Sequence, residues 1–188
     1  NGRILGLSDL IEVCGEILGV ERIRYTTSHP LDMTDDLIAV YGHVPQLVSH
    51  LHLPVQSGSN NILKKMKRNY SRETYIEVVE KLIQIRPNIK ISSDFIIGFP
   101  GETDKDFQQT MNLIDEVKFD ASFSFIYSAR PGTPASKLED TTPLIEKKER
   151  LNILQGRIDE LQNYYSNSLV GTIQRCLVTG VSKKNINQ

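Results

Sequence analysis

The chain has 188 residues, a near-balanced charge (22 Lys and Arg against 23 Asp and Glu, net −1) and a mean hydropathy of −0.29. This length can bury one good core and begin a second small domain, and no apolar run is long enough to span a membrane. No signal-peptide pattern opens the sequence, and the charge balance argues against a globally basic nucleic-acid binder, although a local patch on a neutral protein can still hold RNA.

In chain order, a first helix is expected from Ser8, as N-cap, to Leu18, with Gly19 ending it. A strand over 22–27 follows, then a helix over 34–41 whose Asp35 and Asp36 suit its positive N-terminal end. A strand over 50–56 leads into a Ser57-Gly58-Ser59 loop, a short basic helix, and a helix over 71–86 that Pro87 stops. The strand over 89–97 breaks at Gly98-Phe99-Pro100-Gly101. For the helix over 104–117, Thr103 is the expected N-cap and Asp106 completes a capping box, while Phe107, Met111 and Ile114 share one face. A strand over 121–127 runs into a long Pro- and Gly-bearing loop. The last helix starts at Thr142 (N-cap) and Pro143 (N1) and reaches about Ser168. Its stripe of Leu151, Leu154, Ile158, Leu161 and Tyr165 reads as core covering the sheet. Residues 171–181 change to a short β alternation.

Four strands thus end in polar or glycine-bearing loops, and parallel strands would open all four loops on one ligand face. Within 50–56, His50, His52, Pro54 and Gln56 share one side, opposite Leu51, Leu53 and Val55. That polar set either lines a cavity or is satisfied by loop hydrogen bonds. Asp94 is the one acid in its strand and needs a cation, a hydroxyl or a ligand, because an unpartnered buried carboxylate is costly. Gly98 and Gly101 let a flat ligand approach the main chain, or only turn it. Lys64, Lys65, Lys67 and Arg68 form the best local basic cluster, either an RNA contact or a solvated helix edge. Arg130 is either a bidentate clamp for a phosphate or carboxylate, or an exposed loop arginine.

The segments RYTTSHP (24–30), HLHLPVQSGS (50–59), SSDFIIGFPGETDKDF (92–107) and FIYSARPGTPA (125–135) resemble the radical S-adenosylmethionine methylthiotransferases. They are most similar to the MiaB-type branch, which adds a methylthio group to carbon 2 of an isopentenyl-adenosine beside the tRNA anticodon. The resemblance runs from about residue 22 to 169. It implies an α/β fold: a partial parallel (β/α) barrel of radical SAM type, four of six strands with a long closing helix, in residues 1–168. Residues 169–188 would be the truncated start of a TRAM-like, RNA-binding β domain.

By the same resemblance, the cofactor is S-adenosylmethionine. Gln56 and Ser57 would meet its ribose or methionine part, the turn from Ile96 to Glu102, with Ile97, Gly98, Phe99 and Gly101, would pack the adenine, and Tyr127 and Ser128 would offer main-chain bonds to the adenine edge. Asp94 would contact the cofactor or bond the main chain. Lys64, Lys65, Lys67, Arg68 and Arg130 would face tRNA. The family reduces S-adenosylmethionine to a deoxyadenosyl radical on a [4Fe–4S] cluster held by Cys-x-x-x-Cys-x-x-Cys. Cys14 and Cys176, the two cysteines present, cannot replace that motif. The chain is therefore expected to be a fragment, inactive alone and without metal ligands or a general acid or base. Its clusters would belong to the full-length protein, a cytoplasmic monomer with tRNA as partner and no membrane. A methylthiotransferase for another tRNA adenosine or a ribosomal protein, a non-catalytic RNA-binding module and a phosphate-binding aldolase-like barrel are the rival readings.

Overall fold

The computed structural model describes residues 5–26, 29–178 and 180–181. Its elements are α1 (Leu7–Glu16), α2 (Asp35–His43), β1 (His50–His52), α3 (Asn60–Lys65), α4 (Arg72–Ile85), β2 (Lys90–Ile97), α5 (Asp104–Val117), β3 (Ala121–Ile126) and α6 (Leu144–Ser168). The three strands form one parallel sheet in the order β1-β2-β3, with Leu51 opposite Ile91, Asp94 opposite Phe123 and Ile96 opposite Phe125. Each crossover between them carries helices, as parallel neighbours require.

The sheet has two unlike faces. Leu51, Leu53, Val55, Phe95 and Ile97 are fully buried beneath the helices, where Tyr75, Leu82, Leu113, Phe119 and Leu154 meet them. The opposite face shows His50, His52, Asp94 and Ile96 half-buried and leaves Phe123 and Phe125 exposed. The alternation read from the sequence over 50–56 is therefore real. Regular pairing nonetheless stops at His52. Pro54 has no N–H to give the ladder, and the Val55 N–H turns to Ser93 Oγ (2.9 Å). Pairing resumes once, where Gln56 N–H donates to the Asp94 carbonyl (2.9 Å) and Ile96 N–H to that of Gln56 (2.9 Å). Tyr75 and Tyr70 hold the gap by donating to the Leu53 and Val55 carbonyls at 2.8 and 3.0 Å.

The fourth strand expected over 22–27 shrinks to one parallel bridge, Ile23 to Leu47. Its partner segment is a turn closed by Leu47 N–H on the Val44 carbonyl (3.1 Å), so a ladder has nothing to extend along. Thr27, at the end of that expected strand, and Ser28 lie outside the described residues. The first helix starts two residues earlier than expected, capped by Gly6 rather than Ser8, and the Gly6 N–H donates to Asp9 (2.8 Å). α6 begins after Pro143 rather than at it. Its stripe does pack inward: Leu154 and Ile158 are buried, with Leu151 and Leu161 against them.

The β alternation expected over 171–181 forms no strand among the described residues, and Ile173, Leu177 and Val178 are exposed. A lone strand has no neighbour to satisfy its edges. The segment leans instead on the amino-terminal part, through the Arg175–Glu21 ion pair (2.5 Å) and an Arg22 bond to the Arg175 carbonyl (3.3 Å). Residues 182–188 of the expected second domain lie outside the described residues.

Candidate functional site

Where β2 and β3 end, Gln56, Arg68, Ile96, Phe125, Tyr127 and Arg130 line a cavity of about 570 Å³. A second hollow of about 390 Å³ shares Arg68, Ile96 and Tyr127 and adds Phe99, Lys65 and Leu138. Both volumes lie in the usual range for small-molecule sites. Phe99 meets Tyr127 edge-on, with ring centroids 4.9 Å apart. Tyr127 Oη and Arg68 Nε are buried without a hydrogen-bond partner, an uncommon state for polar atoms that marks this shared wall as chemically unfinished.

The turn after β2 is fixed from outside the cavity. Gly98 and Gly101 have φ of +68° and +78°, which side-chain-bearing residues rarely adopt. A Cβ on Gly98 would fall 2.5 Å from Lys147 Cδ, and one on Gly101 would fall 2.6 Å from Lys65 Nζ. In the Cβ direction Gly98 therefore faces the Lys147 stem and Gly101 the Lys65 ammonium, and it is the positive φ at both positions that calls for glycine. Gly98 N–H donates to Glu102 Oε1 (3.1 Å), and Arg150 Nη1 donates to the same oxygen (3.0 Å). Arg150 also pairs with Asp104 (2.7 Å) and Glu146 (2.5 Å). Burial pushes the Glu102 carboxyl up from its ordinary range, against the pull of Gly98 N–H and Arg150.

The loop after β1 uses hydroxyls instead. Ser59 Oγ donates to Asp106 (2.5 Å), Gly58 N–H donates to Thr110 Oγ1 (3.0 Å), and Ser57 Oγ sits 3.4 Å from that hydroxyl. Asp106 also closes the expected capping box, accepting from Thr103 N–H (3.0 Å). Burial raises the Asp106 carboxyl, but the bonds from Ser59, Thr103 and Asn61 outweigh it and hold the carboxyl at about 2.

The sequence-predicted residues therefore separate into two sets. Gln56, Phe99, Tyr127, Ser128, Arg68 and Arg130 come together on the cavity walls. Ser57 is buried against Thr110 and lines neither hollow. Ile97 is core, and its carbonyl takes the Tyr127 N–H (2.8 Å), so that donor is not free. Lys65 and Lys67 are exposed but also border the smaller hollow, Lys65 donating to the Gly101 carbonyl (2.9 Å), whereas Lys64 is exposed and lines neither hollow. Asp94 lies 3.4 Å from His52 Nε2, and Ser92 bridges His52 and His50 at 3.0 and 3.2 Å. Sequence reasoning placed Glu102 only within the adenine turn, not as the partner of a buried arginine, and missed Lys147 and Arg150 altogether. The signal available was a helix carrying Lys147 and Arg150 one turn before Leu151, which packs against the core, and Leu154, which is in it.

A sequence profile of the radical SAM superfamily matches residues 4–114. The chain belongs to that superfamily. Its sheet is also similar to coproporphyrinogen III oxidase (HemN) of Escherichia coli, described as a radical SAM enzyme, with a TM-score of 0.54 and 19% identity over 66% of this chain and 30% of that one. This radical SAM chain is 57% identical to the tRNA-2-methylthio-N(6)-dimethylallyladenosine synthase of Hahella chejuensis over 98% of its length and 42% of the relative's. To the synthases of the same name from Histophilus somni and Buchnera aphidicola it is 55% and 57% identical, covering 99% of this chain each time and 39% and 42% of theirs. It thus spans about two fifths of the relatives' length.

Radical SAM membership implies S-adenosylmethionine and an iron–sulfur cluster. The cavity, with its apolar walls and two unpartnered donors, fits the first. The described residues do not fit the second: no three His, Cys, Asp or Glu side chains among them come together to hold a metal ion. No helix among these residues is long and apolar enough to cross a membrane.

Proposed function

We propose that the chain is the cofactor-cavity part of a tRNA methylthiotransferase that adds a methylthio group to carbon 2 of an isopentenyl (dimethylallyl) adenosine beside the anticodon. The observation that carries this reading is the 55–57% identity, over 98–99% of the chain, to synthases whose names state that product. In this reading S-adenosylmethionine, when bound, supplies the reactive adenosyl carbon. Gln56, Ile96 and Phe125 hold the adenosyl group, Phe99 and Tyr127 close over it, and Asp94, oriented by His52, faces its polar part. These residues bind, orient and exclude water, and none of them has to move a proton.

Lys64, Lys67, Arg68 and Arg130 meet tRNA phosphates on the same side. The terminal segment opens a TRAM-like domain, the cluster ligands come from elsewhere in the polypeptide, and the protein works as a cytoplasmic monomer. The test supplies the full-length, cluster-loaded protein with S-adenosylmethionine and tRNA carrying isopentenyl-adenosine. Mass spectrometry of the nucleosides should show one added methylthio group on that base. Product on a different adenosine, or on a ribosomal protein instead, would overturn the reading.

A further inference from the structure

Two side chains of α6, Lys147 and Arg150, hold the two walls of the cavity from behind. Arg150 is only 6% exposed as a side chain and Glu102 only 1%. Their 3.0 Å contact is joined on this turn by the Gly98 N–H bond to Glu102, the Arg150 bond to the Glu102 carbonyl (3.3 Å) and the Arg150–Asp104 pair, beside the turn's own Glu102 N–H bond to the Phe99 carbonyl (2.9 Å) and the Lys65 bond to Gly101. That turn carries Phe99 into the smaller hollow. Lys147, also buried, lies along Gly98 and ion-pairs with Asp140. Asp140 follows the segment that brings Thr133, Ala135 and Leu138 to the opposite wall.

We propose that Arg150 is a positioning residue for the cofactor. Through Glu102 it fixes the Gly98–Glu102 turn, and with it the Phe99–Tyr127 wall, while Lys147 fixes the facing wall through Asp140. The proposal rests on the cavity taking S-adenosylmethionine. A guanidinium suits the task because it meets three carboxylates, Glu102, Asp104 and Glu146, with separate N–H groups in a fixed plane. A lysine at 150 would keep the charge and lose that fork.

The experiment uses the full-length, cluster-loaded protein and four variants: Arg150→Met, Arg150→Lys, the double Glu102→Gln/Arg150→Met, and Ala135→Trp, which fills the cavity. Equilibrium dialysis reads S-adenosylmethionine affinity, filter binding reads tRNA affinity, and amide hydrogen exchange reads residues 96–103. Arg150→Met should speed exchange in that turn and weaken S-adenosylmethionine about tenfold, with Arg150→Lys in between and tRNA affinity within about twofold throughout. The double variant leaves no buried unpaired charge, so it reports on the turn should Arg150→Met fail to fold. A residue that served stability alone would leave affinity unchanged wherever the protein is folded. Reduced affinity in Ala135→Trp with unchanged affinity in the folded Arg150 variants would overturn the positioning role. Unchanged affinity in Ala135→Trp would overturn the cofactor assignment of the cavity instead.

Discussion

The loop after β1 and the turn after β2 sit side by side at the same end of the sheet, yet they are held by different chemistry. Residues 57–59 are tied down by hydroxyls and one low-pKa carboxylate, Asp106, most of whose partners are neutral. Residues 98–102 are tied down by a buried ion cluster centred on Arg150. A hydroxyl network loses one modest bond at a time. An ion cluster fails abruptly, because removing one partner strands a charge in a low-dielectric site. The two loops should therefore break differently.

The largest effect is expected at the ionic turn. Arg150→Met leaves Glu102 without its cation and should lower stability by about 3–5 kcal/mol, measured by urea unfolding. Its double variant with Glu102→Gln should recover much of that loss, and an equal loss in the double would mean the arginine acts by packing alone. Next comes Gly58→Ala in the hydroxyl loop. The added Cβ would lie 2.6 Å from both the Gln109 carbonyl oxygen and the Thr110 Cα. Backbone cannot yield as a lysine stem can, so the cost should be about 2–3 kcal/mol.

Acidity separates the two loops by sign. Asp106, depressed to about 2 when folded, binds protons less tightly than in the unfolded chain. Its stabilisation is full above the unfolded carboxyl pKa of about 4 and is lost as pH falls through about 2. Glu102 is raised, so the folded state holds its proton more tightly, and stability falls as pH rises from the ordinary glutamate range to its raised value. Asp106→Asn should cost about 2 kcal/mol at neutral pH and flatten the acid limb of a stability–pH curve. Glu102→Gln should remove the opposite slope, and two curves of the same sign would refute the contrast. The smallest effect is expected at Thr103→Ala, where loss of the N-cap of α5 should cost about 1 kcal/mol by thermal unfolding.

Much of this was legible in the sequence where the determinants are local. The Thr103–Asp106 capping box, the 104–117 helix and the alternation of His50 to Gln56 depend on residues within a few positions, and the structure has each of them. The missing strand at 22–27 and the short β1 were not legible. One depends on a partner segment that forms a turn, the other on Pro54 and on Ser93, 38 residues away from Val55 in sequence. The site divides along the same line. Cavity residues at strand ends followed from the α/β pattern. Glu102 with Arg150 did not, because a contact between residues 48 apart leaves no periodic trace. Polarity at Lys147 and Arg150, on the same helical face one turn ahead of the apolar stripe, was its one visible mark.

The 25-residue α6 reaches further than its packing on β3 suggests. At about 1.5 Å per residue it runs roughly 37 Å. Its first turns grip the loop beyond the carboxyl end of β2, and near its far end the Tyr165 ring lies 3.8 Å from the Lys90 ammonium at the opposite tip of the same strand. The helix is thus a splint laid along one strand and fastened at both ends. Its two fastenings, Lys147 beside Gly98 and Tyr165 beside Lys90, tie both tips of β2 to a single rod of the strand's own span and more.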